Sequence, residues 1–369
     1  MGRRCLVLTA GMGAGHDAVA GELARRLRAA GHQVLVRDVL TLLPPGTGPA
    51  LRGFYRCAVR RVPWVYALIH RIFLAPARAP GPRRRPGTGP LAALAERPLR
   101  ALVERWRPDV VVSTFHLAGQ ITGRLRERGA LEVPCAVYVT DFAVHRAWLA
   151  PGNDLFLCVS EPVARRVRAG TGRPALATGP VVPPAFGRSG PPGPAARLAT
   201  ARAAGRPVVL LSAGAWGVGP GLFPAARALA GAGCLPVLLC GRDEGLRRRA
   251  GRLPGVLALG WAHDLPGLMG AAHVLVDNAA GQTAVQALAA RLPVVGFRPI
   301  AGHGAAGVRE MAAEGLTVYA PDLPALLTAV ATLSPPGPPR DHLVRAGAAL
   351  FREDAAAAVA RLAGEPAAA

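Results

Sequence analysis

The chain has 369 residues, 51% of them hydrophobic, with 45 glycines and 36 prolines. That is too long for one ordinary core, suits two domains and excludes a disordered polymer. The formal charge of +22 comes from 44 basic residues, all arginine. Part of it reflects a compositional bias; the rest calls for an anionic partner, a membrane surface or a phosphorylated substrate. Nucleic acid is set aside, because no zinc-finger spacing or basic heptad array occurs and only 5% of residues are aromatic.

The six cysteines form no CxxC pair and sit in apolar segments, the expected pattern of buried, reduced thiols in a cytosolic protein. Arg3 and Arg4 precede an apolar run that breaks at Gly11, too short for a secretory core. The charge-free stretch from Val208 to Ala226 has bilayer-spanning length, but its four glycines and two prolines mark a strand followed by a loop.

The elements alternate. CLVLTA reads as a buried strand and His16 to Ala30 as a helix whose Val19, Leu23 and Leu27 share a face. Gly31 stops that helix and QVLVRDVL follows as a strand. Phe54 to Phe73 interleaves aromatics with arginines and is split by Pro63; APARAPGPRRRPGTGP after it reads as a mobile loop. DVVVSTF, a helix through Leu125, PCAVYVTDF, DLFLCVS and a helix from Glu161 continue the alternation. Small residues and prolines from Phe186 to Pro207 mark a linker. The pattern restarts with PVVLLSAG, a helix, LPVLLCG, VLALGW, HVLVDNA, a helix from Thr283 and LPVVGF.

Short apolar strands separated by helices imply parallel sheets covered on both faces. The expected fold is therefore α/β, with two Rossmann-like domains facing across a cleft and ligands outside the carboxyl ends of the strands. The expected boundaries are a first domain at 1–186, a linker at 187–206, a second domain at 207–334, and a tail with one helix at 335–369.

Between the first strand and helix the glycines of GMGAGH fall as G-x-G-x-G-H, with His16 where a dinucleotide fingerprint has its third glycine. Asp38 ends the next strand, so the match to that fingerprint is partial. A histidine at a helix N-terminus stays neutral in the positive end of the dipole, which suits a base. A plain helix-capping role is the competing reading.

GAGHDAVAGEL resembles the opening motif of the monogalactosyldiacylglycerol synthase and processive diacylglycerol glucosyltransferase family, GT-B enzymes related to MurG-type transferases. RPDVVVSTF, VTDFAVHRAWLAPGNDLFLCVSE, ATGPVVPPAF and LGWAHDLPGLMGAAHVLVDNAAGQTAVQALAARLPVVGFRPIAGHG resemble its later blocks. The resemblance implies an inverting transfer of a hexose from a nucleotide sugar, a UDP-sugar, to a lipid such as diacylglycerol. No cofactor or metal is implied, the nucleotide sugar being substrate.

It further implies catalytic roles for His16 and Asp141, and an acceptor side lined by Gly13, Gly15, His145, Trp148, Trp64 and Tyr66. The donor side falls to Gly214, Gly217, Gly260, Trp261, Gly281, Gln282, Thr283 and Gln286. The segment from Phe54 to Phe73, with Arg83 to Arg85, is implied to dock on an anionic membrane, placing the protein on the inner face of the cell membrane.

In the donor block Asn278, Ala279, Ala280 and Gly281 stand where the family has KPGG, and Gln286 replaces the ribose carboxylate. Gly304 and Gly307 replace a Glu and an Asn around the sugar. Two further readings remain open: a soluble transferase of a small natural product, and a non-catalytic protein that binds nucleotide or lipid.

Overall fold

The computed structural model describes residues 2–74, 89–187, 198, 200, 202–351 and 353–364. The side chains of Pro63, Tyr66, Phe73 and Leu74 lie outside that description. So do most of the expected linker, Arg83 to Arg85, and nearly all of the expected mobile loop. The chain divides into two compact units, Met1–Val181 with Leu350–Ala369, and Val182–Ala349.

Unit 1 is a six-stranded parallel sheet ordered β2-β1-β3-β4-β5-β6. The strands are β1 (Arg4–Thr9), β2 (Gln33–Asp38), β3 (Val110–Ser113), β4 (Cys135–Val139), β5 (Leu155–Cys158) and β6 (Ala175–Leu176). β1, β3 and β4 read as near-continuous apolar runs because helices cover both faces of the sheet. Leu6, Leu8, Val111 and Cys135 from those strands share a core with Leu99, Ile121 and Leu125 of the covering helices. Helix α1 (Ala14–Ala29) follows β1 and gives way to β2 through Gly31, which takes a φ of 89° that favours glycine.

The aromatic and arginine stretch forms α2 (Thr47–Arg61), α3 (Pro63–Ile69) and a π-turn at His70–Leu74, Pro63 opening the second helix. Helices α4 (Gly89–Trp106), α5 (His116–Glu127) and α6 (Glu161–Thr171) complete this part of the unit. Five cysteines are buried free thiols; Cys57 departs from expectation, because it falls on the exposed side of α2.

Unit 2 is a second parallel sheet, ordered β12-β11-β10-β7-β8-β9. Its elements are β7 (Val208–Ser212), α7 (Leu222–Gly231), β8 (Leu235–Leu239), α8 (Glu244–Ala250), β9 (Leu257–Leu259) and α9 (Leu265–Ala271). Then come β10 (Val274–Asp277), α10 (Gln282–Ala289), β11 (Val294–Phe297), α11 (His303–Ala313), β12 (Val318–Ala320), α12 (Leu323–Leu333) and α13 (Pro338–Ala348). Its core gathers Val209, Leu211, Val276, Val295, Leu326 and Val330.

The tail holds two helices among the described residues, not the one expected. α13 packs in unit 2, while α14 (Ala355–Leu362) returns to unit 1, where Arg26 of α1 pairs with Asp354 at 3.1 Å.

Each sheet has one point where the strand order reverses: between β1 and β3 in unit 1, and between β7 and β10 in unit 2. Loops leaving the carboxyl ends there diverge and open a crevice. In unit 1 those are the loop into α1 and the turn into α5; in unit 2, residues 213–221 and 278–281.

Candidate functional site

At the unit 1 reversal Leu8 pairs with Ser113, so the ends of β1 and β3 lie side by side and Thr114 N–H donates to the Leu8 carbonyl at 2.8 Å. Gly13 caps α1 with extended backbone and no side-chain hydrogen bond, and His16 is the third helical residue. The imidazole does not cap the helix. Its Nδ1 lies 3.0 Å from the Thr114 carbonyl, which can only accept, so in the neutral ring Nδ1 carries the proton and Nε2 the lone pair.

Asp38 is fully engaged: it accepts from Leu40 N–H at 2.9 Å and Gly11 N–H at 3.3 Å, and pairs with Arg52 at 2.8 Å. A dinucleotide ribose therefore finds no vacant carboxylate at the end of β2.

Asp141 follows β4 and is linked to His16 through an intermediary. Thr140 Oγ1 lies 3.4 Å from His16 Nδ1 and donates to Asp141 Oδ1 at 3.3 Å, both long contacts. The other oxygen, Oδ2, accepts from Trp148 Nε1 at 2.8 Å and lies 3.6 Å from His145 Nε2. Trp148 and His145 are buried, 1% and 5% exposed, so they stand behind the surface and fix the carboxylate.

Two histidines outside the expected set complete the cluster. His116 opens α5, its ring 4.2 Å from Phe115, 5.0 Å from His145 and 5.8 Å from Trp148. Phe115 in turn meets His16 edge-on at 4.9 Å. Burial, with the neighbouring His145 and His16 adding to it, holds His116 well below the usual histidine range, so it is neutral at pH 7. His70, in the π-turn, lies 6.4 Å from His145, and Arg146 donates to the Ile72 carbonyl. The arm thus ends on the histidine cluster. Among the described residues no group of three or more His, Cys, Asp or Glu side chains could hold a metal ion.

Gly13 and Gly15 sit at the mouth of this loop; nothing would meet a Cβ at Gly13 within 4 Å, so backbone there is open to approach. Trp64 on α3 is 68% exposed, with Phe54, Leu68 and Ile72 also exposed and Arg52, Arg56, Arg60, Arg61 and Arg71 beside them in sequence. Tyr66 lies on α3.

In unit 2 the expected donor residues fall on adjacent strand ends. Gly214 and Gly217, after β7, take φ of 64° and 68°. A Cβ on Gly217 would lie 2.5 Å from Asp243 Cβ, and one on Gly241 would lie 2.3 Å from the Gly214 carbonyl, so the two turns touch backbone to backbone. Arg242 N–H donates to the Ala215 carbonyl at 2.9 Å, and its guanidinium lies 4.5 Å from the half-exposed Trp261 ring. Gly260 precedes that indole, beside Arg247 and Glu244.

Across the reversal Asn278 Nδ2 donates to the Val218 carbonyl at 3.0 Å. Gly281 caps α10 without a side-chain bond, with Gln282 and Thr283 in the first turn and Gln286 half-buried one turn on.

The loop between is shaped by Asp277. Its buried carboxylate accepts from Ala279 N–H at 2.9 Å and Ala280 N–H at 2.7 Å. Burial raises its pKa, and the backbone bonds oppose that rise. Ala280 is held at φ 51°, a left-handed backbone costing a non-glycine residue roughly 1–2 kcal/mol. Helix α11 closes on the loop: Cβ atoms on Gly304 and Gly307 would lie 3.0 Å from the Asn278 carbonyl and 2.9 Å from Ala280 Cβ. These glycines face the loop itself, so a side chain at either position requires the loop or the helix to shift.

Residues 16–182 match the family model "Monogalactosyldiacylglycerol (MGDG) synthase". The family resemblance is borne out. The chain is 25% identical over 218 residues to a processive diacylglycerol beta-glucosyltransferase of Staphylococcus carnosus, covering 55% of this chain and 53% of that one. It is 29% identical over 236 residues to the chloroplastic monogalactosyldiacylglycerol synthase of Spinacia oleracea, covering 58% and 44%. The chain thus matches about half the length of these curated relatives. The glycosyltransferase SsfS6 of Streptomyces sp. SF2575, solved with thymidine diphosphate, superposes with a TM-score of 0.60 at 20% identity, over 98% of this chain and 99% of that one. The fold is GT-B, two Rossmann-like domains.

Thr114, Thr140, His70 and His116 are missing from the sequence reading. The signal for His116 was available: it directly follows VVVSTF, at the strand end neighbouring the glycine loop.

Proposed function

We propose that the chain is a hexosyltransferase that moves a sugar from a UDP-sugar to the hydroxyl of a lipid acceptor such as diacylglycerol, with inversion at the anomeric carbon. The observation that carries this is His16: its Nδ1 proton is committed to the Thr114 carbonyl, leaving Nε2 as a base at the reversal of the unit 1 sheet. Nε2 takes the hydroxyl proton as the acceptor oxygen bonds to the anomeric carbon; the bond to the diphosphate oxygen breaks and UDP leaves. Asp141, linked through Thr140, stabilises the imidazolium. The N-terminal turn of α10, at Gly281, Gln282 and Thr283, receives the diphosphate at the positive end of the helix, and Trp261 offers a ring face to the base. One proton acceptor and a stabilised leaving group suffice, with no covalent intermediate.

The exposed Phe54, Trp64, Leu68 and Ile72, interspersed with exposed arginines, support docking of the arm on an anionic membrane surface. Among the described residues no helix is long and apolar enough to cross a membrane. A place on the inner face of the cell membrane belongs to the same proposal.

The test is transfer from UDP-glucose and UDP-galactose to diacylglycerol in anionic vesicles, with product detected by mass spectrometry and anomeric configuration by NMR. A β-linked product is expected. No product, together with no UDP binding by calorimetry, overturns the reading; UDP binding without product for any acceptor favours a non-catalytic nucleotide-binding protein.

A further inference from the structure

His116 and His16 stand in opposite protonation patterns around the same aromatic residues. The His16 ring is an N–H donor at Nδ1 and a lone-pair acceptor at Nε2, because its Nδ1 faces a carbonyl. His116 is half-buried, and its Nδ1 is buried without a hydrogen-bond partner. A buried N–H with no acceptor is the rarer and costlier orphan, so the neutral ring places its proton on Nε2. Burial and the adjoining His145 and His16 keep the second proton off, so the pattern persists at neutral pH.

The two rings share neighbours. Phe115 touches both, at 4.9 Å for His16 and 4.2 Å for His116, and Trp148 lies 6.3 and 5.8 Å from them. One histidine can therefore accept a proton while the other can only donate a hydrogen bond. An acceptor molecule suited to both carries a hydroxyl and, close to it, an oxygen that accepts but has no proton to give.

We propose that His116 is a specificity-determining residue of the acceptor site, its Nε2–H donating to an ester carbonyl beside the hydroxyl deprotonated by His16, so that the site selects an acylglycerol over an ether lipid. This rests on the reading of His16 as the base of a lipid glycosyltransferase. The hydroxyl proton goes to His16 Nε2, and His116 neither gains nor loses a proton. Its contribution is a hydrogen bond made with an ester carbonyl and absent with an ether oxygen in a saturated chain, which is a weaker acceptor and differently placed.

The full-length protein is assayed with 1,2-dioctanoylglycerol and its 1,2-dioctyl ether counterpart, each with UDP-glucose and UDP-galactose. In the unaltered protein kcat/KM is expected to favour the ester by about tenfold, the worth of one good hydrogen bond. His116→Phe should bring the ratio to near one while still turning over the ether, and His116→Asn, which keeps an N–H, should restore part of the preference. Equal use of both lipids by the unaltered protein, or an undiminished preference in His116→Phe, overturns the inference.

A second measurement does not depend on turnover. In protein with 15N-labelled histidine, NMR is expected to show His116 as the Nε2–H tautomer at pH 7, with its resonance shifted by dioctanoylglycerol and not by the diether. The Nδ1–H tautomer, an imidazolium, or an equal response to both lipids overturns the inference. An ester-selective shift without any sugar transfer leaves the His116 contact standing and removes the transferase reading.

Discussion

Gly307→Ala isolates the contact between α11 and the 278–281 loop. In an ordinary helix interior this change gains about 1 kcal/mol from backbone entropy. Here the new methyl would lie 2.9 Å from Ala280 Cβ, well inside the ~3.5–4.0 Å optimum for two carbons. Overpacking of that kind costs roughly 1–3 kcal/mol, so the net change is a loss of about 0–2 kcal/mol. Gly270→Ala, on α9 of the same unit with nothing within 4 Å of the added carbon, should instead gain up to about 1 kcal/mol.

Ala280→Gly removes the opposing methyl and relieves the left-handed backbone at φ 51°. Losing a buried methyl costs about 0.8 kcal/mol and relieving the backbone returns roughly 1–2 kcal/mol, so this change alone should be neutral to stabilising by about 1 kcal/mol. In that background Gly307→Ala should turn stabilising, giving a coupling of about 1–3 kcal/mol. Urea unfolding of the four proteins at constant m supplies the cycle. Additive values, or Gly307→Ala stabilising as much as Gly270→Ala, would refute the packing of α11 on the loop.

Asp277→Ala strips the acceptor from Ala279 N–H and Ala280 N–H, each worth roughly 1–3 kcal/mol when left buried and unpaired; UDP affinity by calorimetry should fall at least about tenfold, with Asn recovering part of it. Burial alone would raise the Glu22 carboxyl, but hydrogen bonds from Arg25 and Arg26 outweigh it and leave the pKa lowered. A lowered carboxyl contributes stability above its unfolded pKa and loses it as pH falls through the folded one. Glu22→Gln should therefore cost about 1–2 kcal/mol at pH 7, discounted for the exposed Arg25, and the gap should close on acidification; a gap that widens in acid contradicts the network. Replacing Arg56, Arg60 and Arg61 with Gln should weaken flotation with anionic vesicles about a hundredfold, from about 1 kcal/mol per arginine. Salt should weaken the unaltered protein likewise, and salt-insensitive flotation would count against the arm as an electrostatic docking surface.

The order of strands and helices was largely legible because parallel strands buried on both faces appear as uninterrupted apolar runs, as in VVVS and VLVD. What escaped was short or dependent on distant packing. Ala175–Leu176 and Val318–Ala320 are too brief for a period to register, yet they close the sheet edges through pairing with β5 and β11. The tail showed one helix by composition. Its second is defined partly by Asp354, which accepts from Ala356 N–H and pairs with Arg26, more than 300 residues away in sequence.

The candidate functional residues divide along the same line. Glycines, strand-end acids and the helix-start histidine are local signals, and they led to His16, Asp141 and the glycine turns of unit 2. The relations among them are set by topology. His16 acquires its tautomer from Thr114, and Thr114 lies there only because β3 crosses to the far side of β1 from β2. His116 is one residue beyond Phe115, unremarkable in the string, and gains its surroundings from the same crossing, which brings Phe115 to His16 and α5 to the Trp148 segment. Gly304 and Gly307 reverse the case. Read along the sequence they are losses of sugar-binding side chains; in the fold they let α11 close on a loop whose Ala280 already occupies the left-handed region. Reintroducing Glu or Asn there would press on the backbone that leads to Gly281, so the close approach of α11 to this loop depends on glycine at both positions.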